Sequence, residues 1–121
     1  MDSAVYMDES QSGNVIICGS HGGESAASHM LKFSPGAAIF NDAGKGKDNA
    51  GIKGLELFNK AGMPAATVDT FSAKIGDGND TYESGVISAV NEVALNFGIN
   101  VGMTAKEAAL RFKKKLVEKN S

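Results

Sequence analysis

Cysteine is almost absent from this chain, and that absence limits the chemistry the protein can carry out. Cys18 is the single cysteine among 121 residues, so no intrachain disulfide can form. Cysteine-rich zinc sites and CxxC redox motifs are excluded for the same reason. Because a chain without disulfides suits a reducing compartment, we expect a cytoplasmic protein.

Long apolar runs and an excess of positive charge are lacking too. No run approaches the roughly 18 residues that a membrane helix needs, so we expect no membrane partner. The net charge is −2, which argues against a dedicated nucleic-acid binder. The last 18 residues hold six basic and two acidic side chains, which we interpret as a solvated helical face.

The N-terminal residues 1–13 are polar and have neither the basic start nor the apolar centre of a secretory signal. We predict that they form a tail or an edge segment, and that residues 14–121 form a single domain. Hydrophobic residues make up 42% of the chain, which is enough to close a modest core. Because so small a core gains from further burial, we expect a homo-oligomer.

Short apolar runs alternate with helical patterns along the chain. Residues 14–19, 37–40 and 65–68 are continuous apolar runs, which are typical of strands buried on both faces. A short fourth strand is predicted at residues 99–101. This alternation predicts an α/β fold, a single-domain three-layer αβα arrangement with a short, mostly parallel sheet of three to four strands. The predicted helices cover residues 22–33, 50–61, 80–97 and 104–119.

The segment 80–97 has the clearest helical pattern. Asp80 is suited to cap its start and Gly98 to end it. Thr104 and Glu107 form a capping box that predicts the start of the last helix. The apolar residues of segment 80–97 follow a three- to four-residue spacing at Val86, Ile87, Val90, Val93, Ala94 and Phe97.

Glycine-rich polar segments follow each of the three predicted strands, at residues 19–25, 41–49 and 69–80. The carboxyl ends of parallel strands share one edge of a sheet, and ligands of open α/β sheets bind there. We therefore expect the three segments to meet around a common hollow.

The first of these segments is suited to binding an anion, because glycines before a helix expose backbone N–H groups where the helix dipole is positive. We predict that the amides of residues 22–25 hold a phosphate or carboxylate. His21 is the candidate for proton transfer, because a free imidazole has a pKa of about 6.5. Asp42 or Asp69 would orient it. The alternative is a tight turn without a ligand, with His21 bonded to a carbonyl.

Other polar residues of the three segments complete the predicted binding site. Asp77, Asp80 and Glu83 are also suited to holding Mg²⁺ or Ca²⁺, but turn and N-cap chemistry explains them equally well. We predict no metal and no cofactor. The predicted ligand-binding residues are Ser20, Gly22, Gly23, Ser25, Asn41, Lys45, Ser72, Lys74 and Asp77.

These features predict a small cytoplasmic enzyme that acts on a small phosphate- or carboxylate-bearing metabolite by acid–base chemistry. Hydrolysis is slightly favoured, because the GxGxxG motif of dinucleotide-binding proteins is absent; lyase and isomerase chemistry fit the same residues. The GxSxG and Walker A motifs are absent as well. The alternative is a non-catalytic ligand-binding, regulatory or structural subunit.

Overall fold

The computed structural model describes residues 14–33, 35–44 and 52–119. The predicted tail at residues 1–13 and the predicted ligand residue Lys45 lie outside these ranges. Side chains that also lie outside the description are those of Ser20, His21, Glu24, Ser25 and residues 117–119.

Strands and helices alternate through most of the described chain. The strands are β1 (Val15–His21), β2 (Ala37–Asn41), β3 (Ala65–Val68) and β4 (Ile87–Val90). The helices are α1 (Glu24–Leu31), α2 (Gly54–Lys60), α3 (Gly78–Ser84), α4 (Glu92–Asn96) and α5 (Ala105–Lys119). Within residues 14–33, 35–44 and 52–119, each helix is too short or too polar to span a bilayer.

The four strands form one sheet in the order β1-β2-β3-β4. The first three run parallel, and β4 is antiparallel to β3. The predicted α/β fold with a mostly parallel sheet is therefore confirmed. Because β1, β2 and β3 follow one another across the sheet, two right-handed crossovers place α1 and α2 on the same face.

Apolar side chains fill both faces of the sheet. Ala38 and Phe40 of β2 point into the cluster that α1 and α2 cover, and the ring of Phe40 packs edge-to-face on Phe58. Ala37 and Ile39 point into the opposite cluster, which includes residues of α4 and α5. All residues of β2 and β3 are buried, which explains why their sequences are continuous apolar runs.

The predicted helix over residues 80–97 is wrong. The chain instead forms α3, turns at Gly85, forms β4, and then forms α4. A Cβ at Gly85 would clash with the Thr81 carbonyl oxygen and lie 2.6 Å from Cγ1 of Val68, so only glycine fits this turn. The β-branched residues after it suit a strand, and the open side of β3 supplies their hydrogen-bond partners.

The predicted strand at residues 99–101 is also wrong, because the fourth strand is β4. Residues 100–103 form a turn, in which Met103 N donates to Asn100 O at 3.2 Å. Ile99 is buried in the cluster under α5, so its apolar character serves packing rather than sheet pairing.

The segment after β3 runs back across the sheet towards β1. The side-chain amide of Asn41 donates to the carbonyl oxygen of Ala73 at 3.1 Å. Gly76 N then donates to the carbonyl oxygen of Gly19 in β1 at 2.8 Å. Helix α3 packs against β1 and α5. The third predicted segment therefore lies over the strands that carry the other two.

Candidate functional site

The carboxyl ends of the three parallel strands lie at one level. His21 pairs with Asn41, and Asn41 pairs with Val68. Each of the two parallel pairs has one more backbone hydrogen bond beyond these residues. Gly22 N donates to Asn41 O between β1 and β2, and Asp42 N donates to Val68 O between β2 and β3, both at 2.9 Å. The segments that follow the strands therefore begin side by side.

Asp42 joins two of these segments. Its Oδ1 accepts hydrogen bonds from the backbone N–H groups of Gly44 at 2.8 Å and Thr70 at 3.0 Å. Its Oδ2 accepts from the hydroxyl of Ser88 in β4 at 2.7 Å. The side chain is buried, so these three donors replace the water that its charge would otherwise attract.

Ser88 and Thr67 extend the polar cluster, and the sequence did not identify either of them. The two hydroxyl oxygens lie 3.1 Å apart, and Thr67 is fully buried in β3. The signal in the sequence was a hydroxyl within each apolar run. At Ser88 the helical spacing of residues 80–97 conceals this signal, because it predicts a helix where the chain forms β4.

The turn between β1 and α1 is held by the start of α2. Gly54 N donates to the carbonyl oxygen of Gly22 at 2.7 Å. A Cβ at Gly54 would lie 2.8 Å from Ala27 Cβ and from the carbonyl oxygens of Gly22 and Gly23. Gly23 is the N-cap of α1 and provides no side-chain cap. The backbone amides at the N-terminus of α1 therefore lie directly beside the start of α2.

Asn41 serves the backbone around it. It is fully buried at the end of β2, and its Oδ1 accepts from Ala43 N at 2.7 Å while its amide group reaches Ala73. Buried amides need such partners on both atoms. The hydrogen-bonding atoms of this predicted ligand residue are thus engaged in joining the second and third segments.

Asp69 and Ser72 lie together after β3. Asp69 Oδ1 accepts from Phe71 N at 2.8 Å, and the side chain is exposed. The Ser72 hydroxyl donates to Asp69 O at 2.6 Å and accepts from Val86 N at 3.0 Å. Asp69 is therefore the predicted catalytic carboxylate that solvent can reach, whereas Asp42 is enclosed.

Lys74 and Asp77 lie further along, where the chain enters α3. Asp77 caps this helix by accepting from Asp80 N at 2.9 Å, and Asp80 Oδ2 accepts from Lys74 N at 2.6 Å. The Lys74 side chain is exposed. Among the described residues, no three His, Cys, Asp or Glu side chains lie close enough together to hold a metal ion.

Glu83 is the third acid that the sequence suggested for Mg²⁺ or Ca²⁺, and it faces α5 instead. Its Oε2 lies 2.7 Å from Nζ of Lys106. The hydrogen bond to Glu83 and its charge raise the pKa of Lys106 above its ordinary value of 10.5. The ammonium also lies 5.7 Å from the centre of the Tyr82 ring. This acid joins two helices.

The structure brings the backbones of His21, Asn41 and Asp42 together and joins Asp42 to the segment that contains Asp69. Contacts of the Ser20, His21 and Ser25 side chains lie outside the description, as does Lys45. Of the predicted site residues whose side chains are described, Asp69 and Lys74 are the charged ones that are exposed.

Comparison with protein family models, with curated proteins and with solved structures finds no significant match to this chain.

Proposed function

We propose that the chain is a small enzyme that acts on a phosphate- or carboxylate-bearing metabolite at the carboxyl edge of β1, β2 and β3. The observation that supports this most is the common level of the three strand ends, with Asp42 hydrogen-bonded to both later segments. Rigid backbone around a polar edge is what an acid–base site requires, because reacting groups must be held in place.

The anion would bind at the start of α1. Gly22 N already donates to Asn41 O, so the amides of Gly23 and the residues that follow it would hold the ligand. These amides lack helical partners at the first turn, and the helix dipole adds a partial positive charge there. Lys45 and Lys74 would supply further positive charge.

His21 would transfer the proton. In the hydrolytic reaction, which we favour slightly, it accepts a proton from the attacking water. An ester bond of the substrate then breaks, and the proton passes to the departing oxygen. Lyase and isomerase reactions use the same proton transfer. Asp69, whose carboxylate is exposed, would orient His21, whereas Asp42 acts as a positioning residue because its oxygens already accept three hydrogen bonds.

The test is a panel of small phosphates and carboxylates, scored by the thermal shift of the protein and by turnover of each compound that shifts it. We expect at least one compound to raise the melting temperature and to be converted. His21→Ala should abolish the conversion. His29→Ala is the matched control, because it removes the other histidine of the chain from within α1. A panel without any shift would contradict the proposal.

A non-catalytic binding or regulatory subunit is the second candidate function. The described carboxylates favour it, since Asp42, Asp69 and Asp77 each accept backbone N–H groups. A compound that binds but is not converted, with equal affinity for the wild type and His21→Ala, would select this candidate over the enzyme.

We propose in addition that the protein is cytoplasmic and associates with copies of itself. Phe71 is 95% exposed and Leu110 is 64% exposed, so apolar surface remains that association would cover. Light scattering during gel filtration should give a mass above 12.5 kDa. A monomer at micromolar concentration would contradict this part of the proposal.

A further inference from the structure

A cavity lies between the end of α4 and the outer side of α5, away from the candidate site described above. Its volume is about 360 Å³, which is within the range of small-molecule sites. It is lined by Asn96, Phe97, Gly98, Arg111, Lys114 and Lys115. Three of these six residues are cationic, in a chain whose net charge is −2.

Arg111 is held in place at the cavity. Gly98 ends α4 with a φ of +87°, and its carbonyl oxygen accepts from Nη1 of Arg111 at 3.0 Å. The guanidinium of Arg111 is planar and carries five N–H groups, of which this bond uses one. The bond therefore orients the guanidinium, and most of its donors remain for a ligand. A fixed guanidinium is the usual means of binding phosphate or carboxylate in two-point geometry.

Lys114 adds a second positive charge one helical turn further along α5. Its side chain is exposed. Two acids near the start of α5 have partners of their own: Glu107 accepts from the Thr104 hydroxyl, and Glu83 pairs with Lys106. Among the described side chains, neither of these acids forms an ion pair with Arg111 or Lys114.

Phe97 gives the cavity an apolar wall. Its ring is half-buried and packs against Phe112, with the ring centres 6.1 Å apart and the planes inclined by 59°. A ring held in this way is a firm surface for the apolar part of a ligand. The cavity thus combines anchored positive charge with an aromatic surface.

Stabilisation of the end of α4 is the simplest structural role for these cations, since helix C-termini attract positive charge. That role accounts for Arg111, which contacts the carbonyl oxygen of Gly98 just beyond the end of α4. It does not account for Lys114, which adds charge along the cavity wall, or for the open volume beside the Phe97 ring.

We propose that this cavity is a second binding site, which takes a small phosphate monoester that carries an apolar group. Arg111 and Lys114 would bind the phosphate, and Phe97 would contact the apolar group. The site is distinct from the carboxyl edge of the sheet. Helix α5 starts beside Gly85 near that edge, and Arg111 lies six residues along it, about 9 Å away.

Phenyl phosphate is the probe, and its binding is followed by the amide resonances of the full chain at constant ionic strength. We expect shifts at residues 96–98 and 111–115, and weaker binding of inorganic phosphate, which has no group to place on Phe97. Lys114→Glu should weaken the binding of phenyl phosphate by about tenfold, because a charge-assisted hydrogen bond is replaced by repulsion.

Lys113→Glu is the matched control. Lys113 is the neighbouring exposed lysine of α5 and does not line the cavity, so the same change of net charge should have less than about a threefold effect. Equal weakening by the two variants would overturn the proposal, because it would indicate a diffuse positive surface such as nucleic acids bind. Absence of shifts, or shifts confined to residues 22–27, would overturn it as well.

Discussion

Asp42 is the residue on which the geometry of the candidate site depends most. It is a buried carboxylate whose three donors come from its own turn, from the segment after β3, and from β4. Such a group stabilises the fold only while all its bonds are made, since each donor left without an acceptor costs free energy. The main role of Asp42 after the end of β2 is therefore to hold the turn, the segment after β3 and β4 together.

Replacement of Asp42 tests this role. Asp42→Ala should lower the free energy of unfolding by about 2–4 kcal/mol, because two amides and a hydroxyl lose their acceptor. Asp42→Asn should cost less, since its Oδ1 can still accept from Gly44 and Thr70 and the Ser88 hydroxyl can accept instead of donate. Urea denaturation measures both values. A loss for Asp42→Ala no larger than that for the exposed Asp69→Ala would contradict this role.

Gly54 is a second residue whose identity is set by its neighbours. Gly54→Ala would raise the helix propensity at the first residue of α2, yet its Cβ would meet two backbone oxygens at 2.8 Å. We expect a net loss of about 1–3 kcal/mol, because backbone atoms of the first turn must move. Thermal unfolding measures it. The control is Glu56→Ala at an exposed position of α2, which should be nearly neutral, and a stabilised Gly54→Ala would contradict the reported packing.

At the scale of the elements, one buried cap holds α4 in its position. Asn91 caps α4 by accepting from Ala94 N at 2.9 Å. The same oxygen accepts from Ala65 N at 3.2 Å, and its amide donates to Met63 O at 2.9 Å and Leu55 O at 3.3 Å. One side chain thus joins α4 to the entry of β3 and to α2.

Asn91→Ala should therefore cost more than loss of an ordinary cap. We expect about 3 kcal/mol for it, and about 1 kcal/mol for Thr104→Ala, whose hydroxyl accepts from Glu107 N at the exposed start of α5. Denaturant unfolding of the two variants provides the comparison. Equal losses would mean that the partners of Asn91 beyond α4 contribute nothing.

We expect the contact between α3 and α5 to respond to pH. Because the pKa of Lys106 is raised in the folded state by Glu83, the stabilisation is complete below its ordinary value of 10.5 and is lost as pH rises through the higher folded value. The difference in melting temperature between the wild type and Lys106→Gln should therefore shrink above pH 10.5. Both side chains are about half exposed, so added salt should shrink it too. A difference independent of pH would refute this.

At the scale of the molecule, the central strands are the most enclosed part of the chain. Every residue of β2 and β3 is buried between two helical layers, whereas Ser88, Ala89 and Val90 of β4 are half-buried at the edge of the sheet. The two apolar clusters meet across these central strands. Opening of the centre therefore requires both layers to separate.

Amide hydrogen exchange should follow this order. The amides of β2 and β3 should exchange only through global unfolding, whereas those of β4 that face outward should exchange through local opening. Exchange measured by nuclear magnetic resonance at increasing low concentrations of urea separates the two cases. Central amides that exchange as fast as those of β4 would contradict the three-layer description.

The sequence predicted where the candidate site lies, at the carboxyl edge of the sheet, but not which contacts its side chains make. The apolar runs stop at residues 19, 40 and 68, within two residues of the observed strand ends at His21, Asn41 and Val68, and parallel pairing puts such ends on one edge. The hydrogen-bond partners of the polar side chains at this edge could not be predicted from the sequence. Whether Asp42 faces solvent or the hydroxyl of Ser88 depends on β4, which the sequence pattern placed within a helix.

The sequence by itself determined the layered α/β fold, because runs such as Ala65–Val68 are apolar apart from one hydroxyl, that of Thr67, and suit strands covered on both faces. It also determined the start of α5, since a capping box acts within four residues. The tertiary structure alone decided that residues 87–90 are a strand. Their apolar, β-branched pattern fits a helix and a strand alike, and the unpaired hydrogen-bonding groups of β3 selected the strand.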